Sequence, residues 1–143
     1  MTAMDLKATR YEITDGVALV TLARPKRRNA WTGRMHTEYR WILREADRDP
    51  AVRVIVVTGD PEGQAFCAGA DLQALEGHSA KGQYDPGTPD DIAEPGYGVD
   101  PAFDASFAYH FGIGKPVIAA INGAAAGVGL VLSAFADLRF CAP

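Results

Sequence analysis

Cysteine is scarce in this sequence. Cys67 and Cys141 are the only two among 143 residues, too few for a disulfide framework and wrongly spaced for a metal site. A reducing, cytoplasmic setting is the expectation. Basic charge is also in deficit: 14 Lys and Arg face 18 Asp and Glu, a net charge of −4. That argues against a nucleic-acid partner, because a phosphate backbone selects a basic face. No N-terminal stretch has the basic-then-apolar pattern of a secretion signal, and no repeat occurs at solenoid spacing. One long charge-free run exists, residues 117–136, whose length alone would suit a membrane span. The turn pair Asn122-Gly123 and the glycines Gly127 and Gly129 break it, and Asp137 and Arg139 follow at once. A buried strand, a tight turn and a buried helix are predicted there instead, with no membrane partner.

What is present fits one soluble domain with a real core: 48% of residues are hydrophobic and 22% charged. Two strands, 8–14 and 17–22, are joined at Asp15-Gly16, a strong hairpin signal. In the second strand Ala18, Val20 and Leu22 share one side, and Val17, Leu19 and Thr21 the other. A loop follows, residues 23–31, with Pro25 and the cations Arg24, Lys26, Arg27 and Arg28. Thr32 is a good N-cap for a helix over 33–48, which places Met35, Tyr39, Ile42, Leu43 and Ala46 on one face. The run RVIVVTG (53–59) lacks alternation, the mark of a strand covered on both faces. A short helix is predicted near 72–76, a long loop over 77–100 and a helix over 102–111. A strand over 117–121, a helix over 128–135 and a strand from Leu138 complete the pattern. That last strand has no following helix to cover its sheet face, so the α/β pattern is unfinished.

Two glycine-punctuated segments, FCAGADL (66–72) and INGAAAGVGL (121–130), carry the chemistry. Each follows a buried strand and turns into a helix. Backbone N–H groups left free at such turns can hold a developing negative charge, and a pair of them forms an oxyanion hole. Backbone donors need small neighbours rather than particular side chains, and Gly69, Ala70, Gly127 and Gly129 supply these. The same small residues also suit plain tight turns. A thioester carbonyl is a fitting object for such donors, because proton removal beside it puts charge on its oxygen.

Five segments in order, VTLARPKRRNAW (20–31), VIVVTG (54–59), FCAGADL (66–72), KPVIAAINGAAAGVGL (115–130) and ADLRF (136–140), closely resemble the crotonase superfamily, the enoyl-CoA hydratase/isomerase family. The resemblance runs from about residue 8 to the end and covers the N-terminal half of the family's usual length. It implies an α/β crotonase-like spiral of ββα units, with residues 1–143 as the N-terminal part of the core domain and its C-terminal part absent. It implies acyl-CoA thioesters as substrates, no cofactor beyond the CoA carried by the substrate, and homotrimers or hexamers at full length. Its oxyanion donors fall on the backbone N–H groups of Ala70 and Val128. Its CoA contacts fall on Arg24 and Lys26 for phosphates and on Ala68 for the adenine side.

One position departs from the pattern. The family's first hydration glutamate lies three residues beyond the second donor, and here that position is Val131, which moves no proton. The second glutamate would lie past Pro143. Asp71 is expected to cap the short helix, Asp137 to be structural, and His110 to pack in the core or at the surface. Glu94, Asp100, Asp104, His78, Tyr97 and Tyr109 carry no assigned role.

Overall fold

Among the described residues, seven strands and three α-helices are built from one repeated step. The computed structural model describes residues 4–82 and 107–143. Glu94, Tyr97, Asp100 and Asp104 lie outside the described residues, as does the side chain of His78. Strands β1 (Thr9–Thr14) and β2 (Val17–Leu22) form the expected antiparallel hairpin. Asp15 and Gly16 both take positive φ, 51° and 85°, the geometry of the turn whose twist matches paired strands. β3 (Val54–Gly59), β5 (Val117–Ile121) and β7 (Leu138–Cys141) then add in parallel, giving the sheet order β1-β2-β3-β5-β7. A second, two-stranded parallel sheet is made by β4 (Ala65–Cys67) and β6 (Ala124–Ala125).

Each step therefore lays a strand in the large sheet, a short strand in the small one, and a helix. β3-β4 leads into α2 (Leu72–Lys81), and β5-β6 leads into α3 (Val128–Phe135). The first step has the same outline. β2 is followed by Trp31, which bridges in parallel to Ala70, and then by α1 (Gly33–Arg48).

Helix α1 starts where Thr32 Oγ1 accepts the Met35 N–H at 3.1 Å. Met35, Tyr39, Ile42, Leu43 and Ala46 are buried in one cluster with Ala18, Val20, Leu22, Ile55, Val57, Val117 and Ala119 from the sheet. Each large aliphatic side chain buried there contributes roughly 1.5–3 kcal/mol. Glu38, on the same helix, is fully buried, and its carboxylate accepts Lys7 N–H, Ala8 N–H, Thr9 Oγ1–H and Arg34 Nε–H at 2.6–2.9 Å. A charge can stay in the core only when its oxygens are satisfied in this way. At the other end, Lys115 Nζ donates to the carbonyls of Ala46 and Asp49, and Asp47 accepts the N–H groups of Gly114 and Lys115. The positive charge meets the negative end of the helix.

Several expectations are corrected. β3 is not covered on both faces: Ile55 and Val57 are buried under α1, whereas Val54, Val56 and Thr58 are half-buried. The apolar run is continuous in sequence, but the described residues bring a complete layer to one side only. Helix α2 does not end near 76. It continues to Lys81 and stops at Gly82 in the left-handed region, φ 68°, so the first residues assigned to a long loop are helical. Of the helix expected over 102–111, residues 102–106 lie outside the described residues, and Ala108–Gly112 form a 3-10 turn.

Candidate functional site: two apposed glycine turns

The small sheet brings the two glycine segments together. Cys67 C=O accepts the Ala126 N–H at 3.0 Å. A Cβ added to Gly127 would stand 3.5 Å from Gly69 Cα, and one added to Gly69 would stand 3.3 Å from the Ala126 carbonyl oxygen. Gly69 (φ 109°) and Gly127 (φ 50°) both hold backbone shapes that L side chains rarely adopt. Gly129 permits the closest approach: a Cβ there would lie 2.2 Å from the Cys67 carbonyl oxygen. Only a residue without a side chain lets the start of α3 rest on the end of β4.

Backbone alternation decides where the Ala70 amide points. Trp31 N–H donates to Gly69 C=O at 2.7 Å, and Asp71 N–H donates to Trp31 C=O at 2.8 Å. The residues on both sides of Ala70 are thus turned toward Trp31. Ala70 itself presents its N–H and C=O on the opposite side, where Gly127 lies against Gly69. Val128 is the first residue of α3, and Gly127, its N-cap, provides no side-chain cap. An N–H at that position has no partner inside the helix. Among the described residues neither the Ala70 nor the Val128 N–H has an acceptor, and both residues are half-buried. The α3 first turn carries no acidic side chain to offset the positive end of the helix. Val131 lies one turn in and is also half-buried; its N–H is held by the Gly127 carbonyl at 3.0 Å.

The basic loop is fastened to this site by Asn29 and Arg24. Asn29 is fully buried with a left-handed φ of 54°. Its Nδ2 donates to the carbonyls of Asp60 and Ala65 at 3.0 and 2.8 Å, and its Oδ1 accepts the Arg24 N–H. Arg24 Nη1 donates to the Ala30 carbonyl at 2.7 Å and to Asp71 Oδ2 at 3.1 Å. Arg24 is therefore paired inside the protein, while Lys26, Arg27 and Arg28 are exposed. Ala68 is half-buried and donates its N–H to the Arg28 carbonyl at 3.2 Å. Asp71 caps α2 through the N–H groups of Gln73 and Ala74. Burial works against its charge, but the bonds from Arg24, Ala74 and Gln73 prevail and hold its carboxyl below the usual range. It acts as a strut, as expected of it. Asp137 is another: its Oδ2 accepts the Val117 N–H at 2.7 Å, at the junction of β5 and β7.

Behind Trp31 lies an aromatic wall of His36, Tyr39, Phe107, Tyr109 and His110. His110 is buried, with Nε2 2.7 Å from the Tyr39 hydroxyl and Nδ1 2.6 Å from the Phe107 carbonyl. A carbonyl can only accept, so Nδ1 carries the proton and the Tyr39 hydroxyl donates to Nε2. Burial pushes His110 down to about 4 and His36 down to about 3. Both are neutral at pH 7 and belong to the core. Cys67 is buried as well, and burial raises its thiol despite the nearby N–H groups of Gly69 and Trp31, which disfavours the thiolate.

Sequence reasoning placed the two glycine turns and the basic loop. It missed Asn29 as the fastener, although an asparagine after a basic run is a recognisable left-handed turn residue. It also missed the Tyr39–His110 pair, for which no local signal exists.

Residues 12–143 match the family model for enoyl-CoA hydratase/isomerase. The chain belongs to the enoyl-CoA hydratase/isomerase family. Among its relatives is a "probable enoyl-CoA hydratase" of Mycobacterium tuberculosis, 42% identical over 127 residues, or 89% of this chain and 44% of that protein. The 1,2-epoxyphenylacetyl-CoA isomerase of Escherichia coli is 32% identical over 91% of this chain and 45% of its own length. Among solved structures, an enoyl-CoA hydratase of Mycobacterium marinum superposes with a TM-score of 0.75 at 26% identity, over 95% of this chain and 58% of that one. The chain spans a little under half the length of the curated relatives it matches. Its fold is accordingly a partial crotonase fold, an α/β spiral of ββα steps. Among the described residues no helix is long and apolar enough to cross a membrane.

Proposed function

We propose that this member of the enoyl-CoA hydratase/isomerase family binds an acyl-CoA thioester and holds the thioester oxygen between the N–H groups of Ala70 and Val128. The observation that carries the reading is the apposition of Gly69 and Gly127, each followed by a backbone N–H that has no acceptor among the described residues. Charge accumulates on that oxygen as a proton leaves or joins the neighbouring carbon. Donors already fixed in place stabilise it without reorganising. Lys26 meets the phosphates of CoA and Ala68 its adenine side. Arg24 adds positive charge while its bond to Asp71 keeps the loop in place.

Hydration by two carboxylates is not the reaction we assign, because Val131 occupies the first acid's position on α3. A single-base shift of the double bond is the preferred chemistry, with the base supplied from outside the described residues. The reaction needs no further cofactor. We place the protein in the cytoplasm and its full-length form in homotrimers or hexamers. Val131 also favours a second reading, in which the acyl-CoA site is kept without chemistry.

Calorimetry with acetyl-CoA against CoA, together with crotonyl-CoA turnover, tests the proposal. Tighter binding of the thioester than of CoA supports it, and equal or absent binding refutes it. Efficient hydration would remove the role given to Val131. Exchange of the acetyl-CoA methyl protons in D2O separates the readings: exchange indicates enolate chemistry, and binding without exchange indicates a site that only binds.

A further inference from the structure

Within the aromatic wall Tyr39 and His110 form a buried hydrogen-bonded pair separated by 71 residues. From this pair, contacts run to both glycine turns. The Tyr39 ring meets the Trp31 ring edge-on, with centroids 5.7 Å apart. The Trp31 backbone in turn holds the residues on either side of Ala70. The His110 ring stacks on Phe135, the last residue of α3, at 5.9 Å. Val128 is the first residue of that same helix. His110 Nδ1–H also fixes the carbonyl of Phe107, a non-glycine residue with φ 63°, whose ring packs on Trp31 at 5.7 Å.

We propose that Tyr39 and His110 are positioning residues that set the spacing of the Ala70 and Val128 N–H donors, Tyr39 through Trp31 and His110 through Phe135. Neither touches substrate. Their hydrogen bond ties the helix that backs one turn to the 3-10 turn that backs the other. A core pair with no such duty could be exchanged for apolar rings of the same shape with little effect on the site. This role rests on the thioester reading above.

The test uses the 15N-labelled protein and Tyr39→Phe, which removes one hydroxyl and keeps the ring. Amide spectra report the Ala70 and Val128 N–H groups directly, with Ala119 in the central sheet as reference. Binding is measured for CoA and for acetoacetyl-CoA, a thioester whose enolate is stable and absorbs in the ultraviolet. The expected result is a displaced Ala70 amide, an unmoved Ala119 amide, and affinity for the enolate lowered about tenfold with CoA affinity unchanged, since small misplacements of fixed groups are costly. An unmoved Ala70 amide, or equal losses for CoA and acetoacetyl-CoA, overturns the proposal. Should Tyr39→Phe fail to fold, His110→Asn, which keeps a donor for the Phe107 carbonyl, is judged by the same criteria. If the wild type binds no CoA ester, the thioester reading fails. The Ala70 and Val128 amides then decide alone whether the pair positions them: a shift upholds the placement and no shift overturns it.

Discussion

Replacing Val128 by proline removes one backbone donor and almost nothing else. Position 128 is the first of α3, where an N–H has no helical partner and where proline is the residue best accommodated. The residue before it is Gly127, which has no Cβ to clash with the proline ring. No intramolecular hydrogen bond is lost, because the Val128 N–H has no acceptor among the described residues. The half-buried valine side chain loses only part of its contact area. The thermal midpoint should therefore stay close to that of Val128→Ala, the control that keeps the N–H. The effect on a bound enolate should be large, since removing one oxyanion donor typically costs about 3–4 kcal/mol, or a factor of 10²–10³. The assay is ultraviolet titration of acetoacetyl-CoA, which reads the bound enolate, run beside thermal melts of both variants. If Val128→Pro and Val128→Ala bind the enolate equally while melting alike, the Val128 N–H is not a donor and the proposed site is wrong.

Three further outcomes are expected. Asn29→Ala should lower stability by roughly 3 kcal/mol in chemical denaturation, because two carbonyls and one N–H lose their partner in a fully buried place; a loss below about 1 kcal/mol would deny Asn29 its fastening role. Gly129→Ala puts a methyl 2.2 Å from the Cys67 oxygen, so α3 must move off β4, and a loss of about 1–3 kcal/mol should come with weaker thioester binding. Retained binding and an unchanged melt would show that the approach at Gly129 does not set the site. The third concerns pH. The histidines are neutral in the fold, with His110 at about 4 and His36 at about 3 against an ordinary 6.5. Between those values the unfolded chain binds protons that the folded chain does not, so stability is fully present above pH 6.5 and declines as pH falls toward 4. Over that range His110 alone accounts for on the order of 3 kcal/mol. Asp60 and Asp71, held low in the fold, add their losses only below the ordinary carboxyl range. Denaturant midpoints that do not change between pH 6.5 and 4.5 would refute the buried-neutral assignment.

The parts of the molecule legible in the sequence are those with a local cause. Asp15-Gly16 demanded a hairpin, Thr32 announced α1, and the 3.6-residue spacing from Met35 to Ala46 named its buried face. The glycine turns were legible because backbone donors need small neighbours in a row. β4 and β6 were not legible: at three and two residues, Ala-Phe-Cys and Ala-Ala are too short for any period to show. Their pairing is a consequence of the large sheet, which brings residues 65 and 124 side by side. Arg24 looked like a free cation because its partner, Asp71, lies 47 residues on. The coverage of β3 could not be judged from its own residues, since an apolar strand does not state how many layers pack on it.

Because the parallel strands stand in the large sheet in the order in which they occur in the chain, assembly has a direction. β3 pairs with an edge already laid down by β2, β5 with β3, and β7 with β5. Among the described residues, no strand has to be inserted between two that are already paired. A nascent chain emerging from its amino end can extend the sheet one strand at a time, each step closing over a stretch shorter than the whole protein. The same order keeps a bare parallel edge at every intermediate length, and edges of that kind invite pairing with other chains. The spiral thus makes vectorial growth easy and leaves each stage of that growth exposed to association.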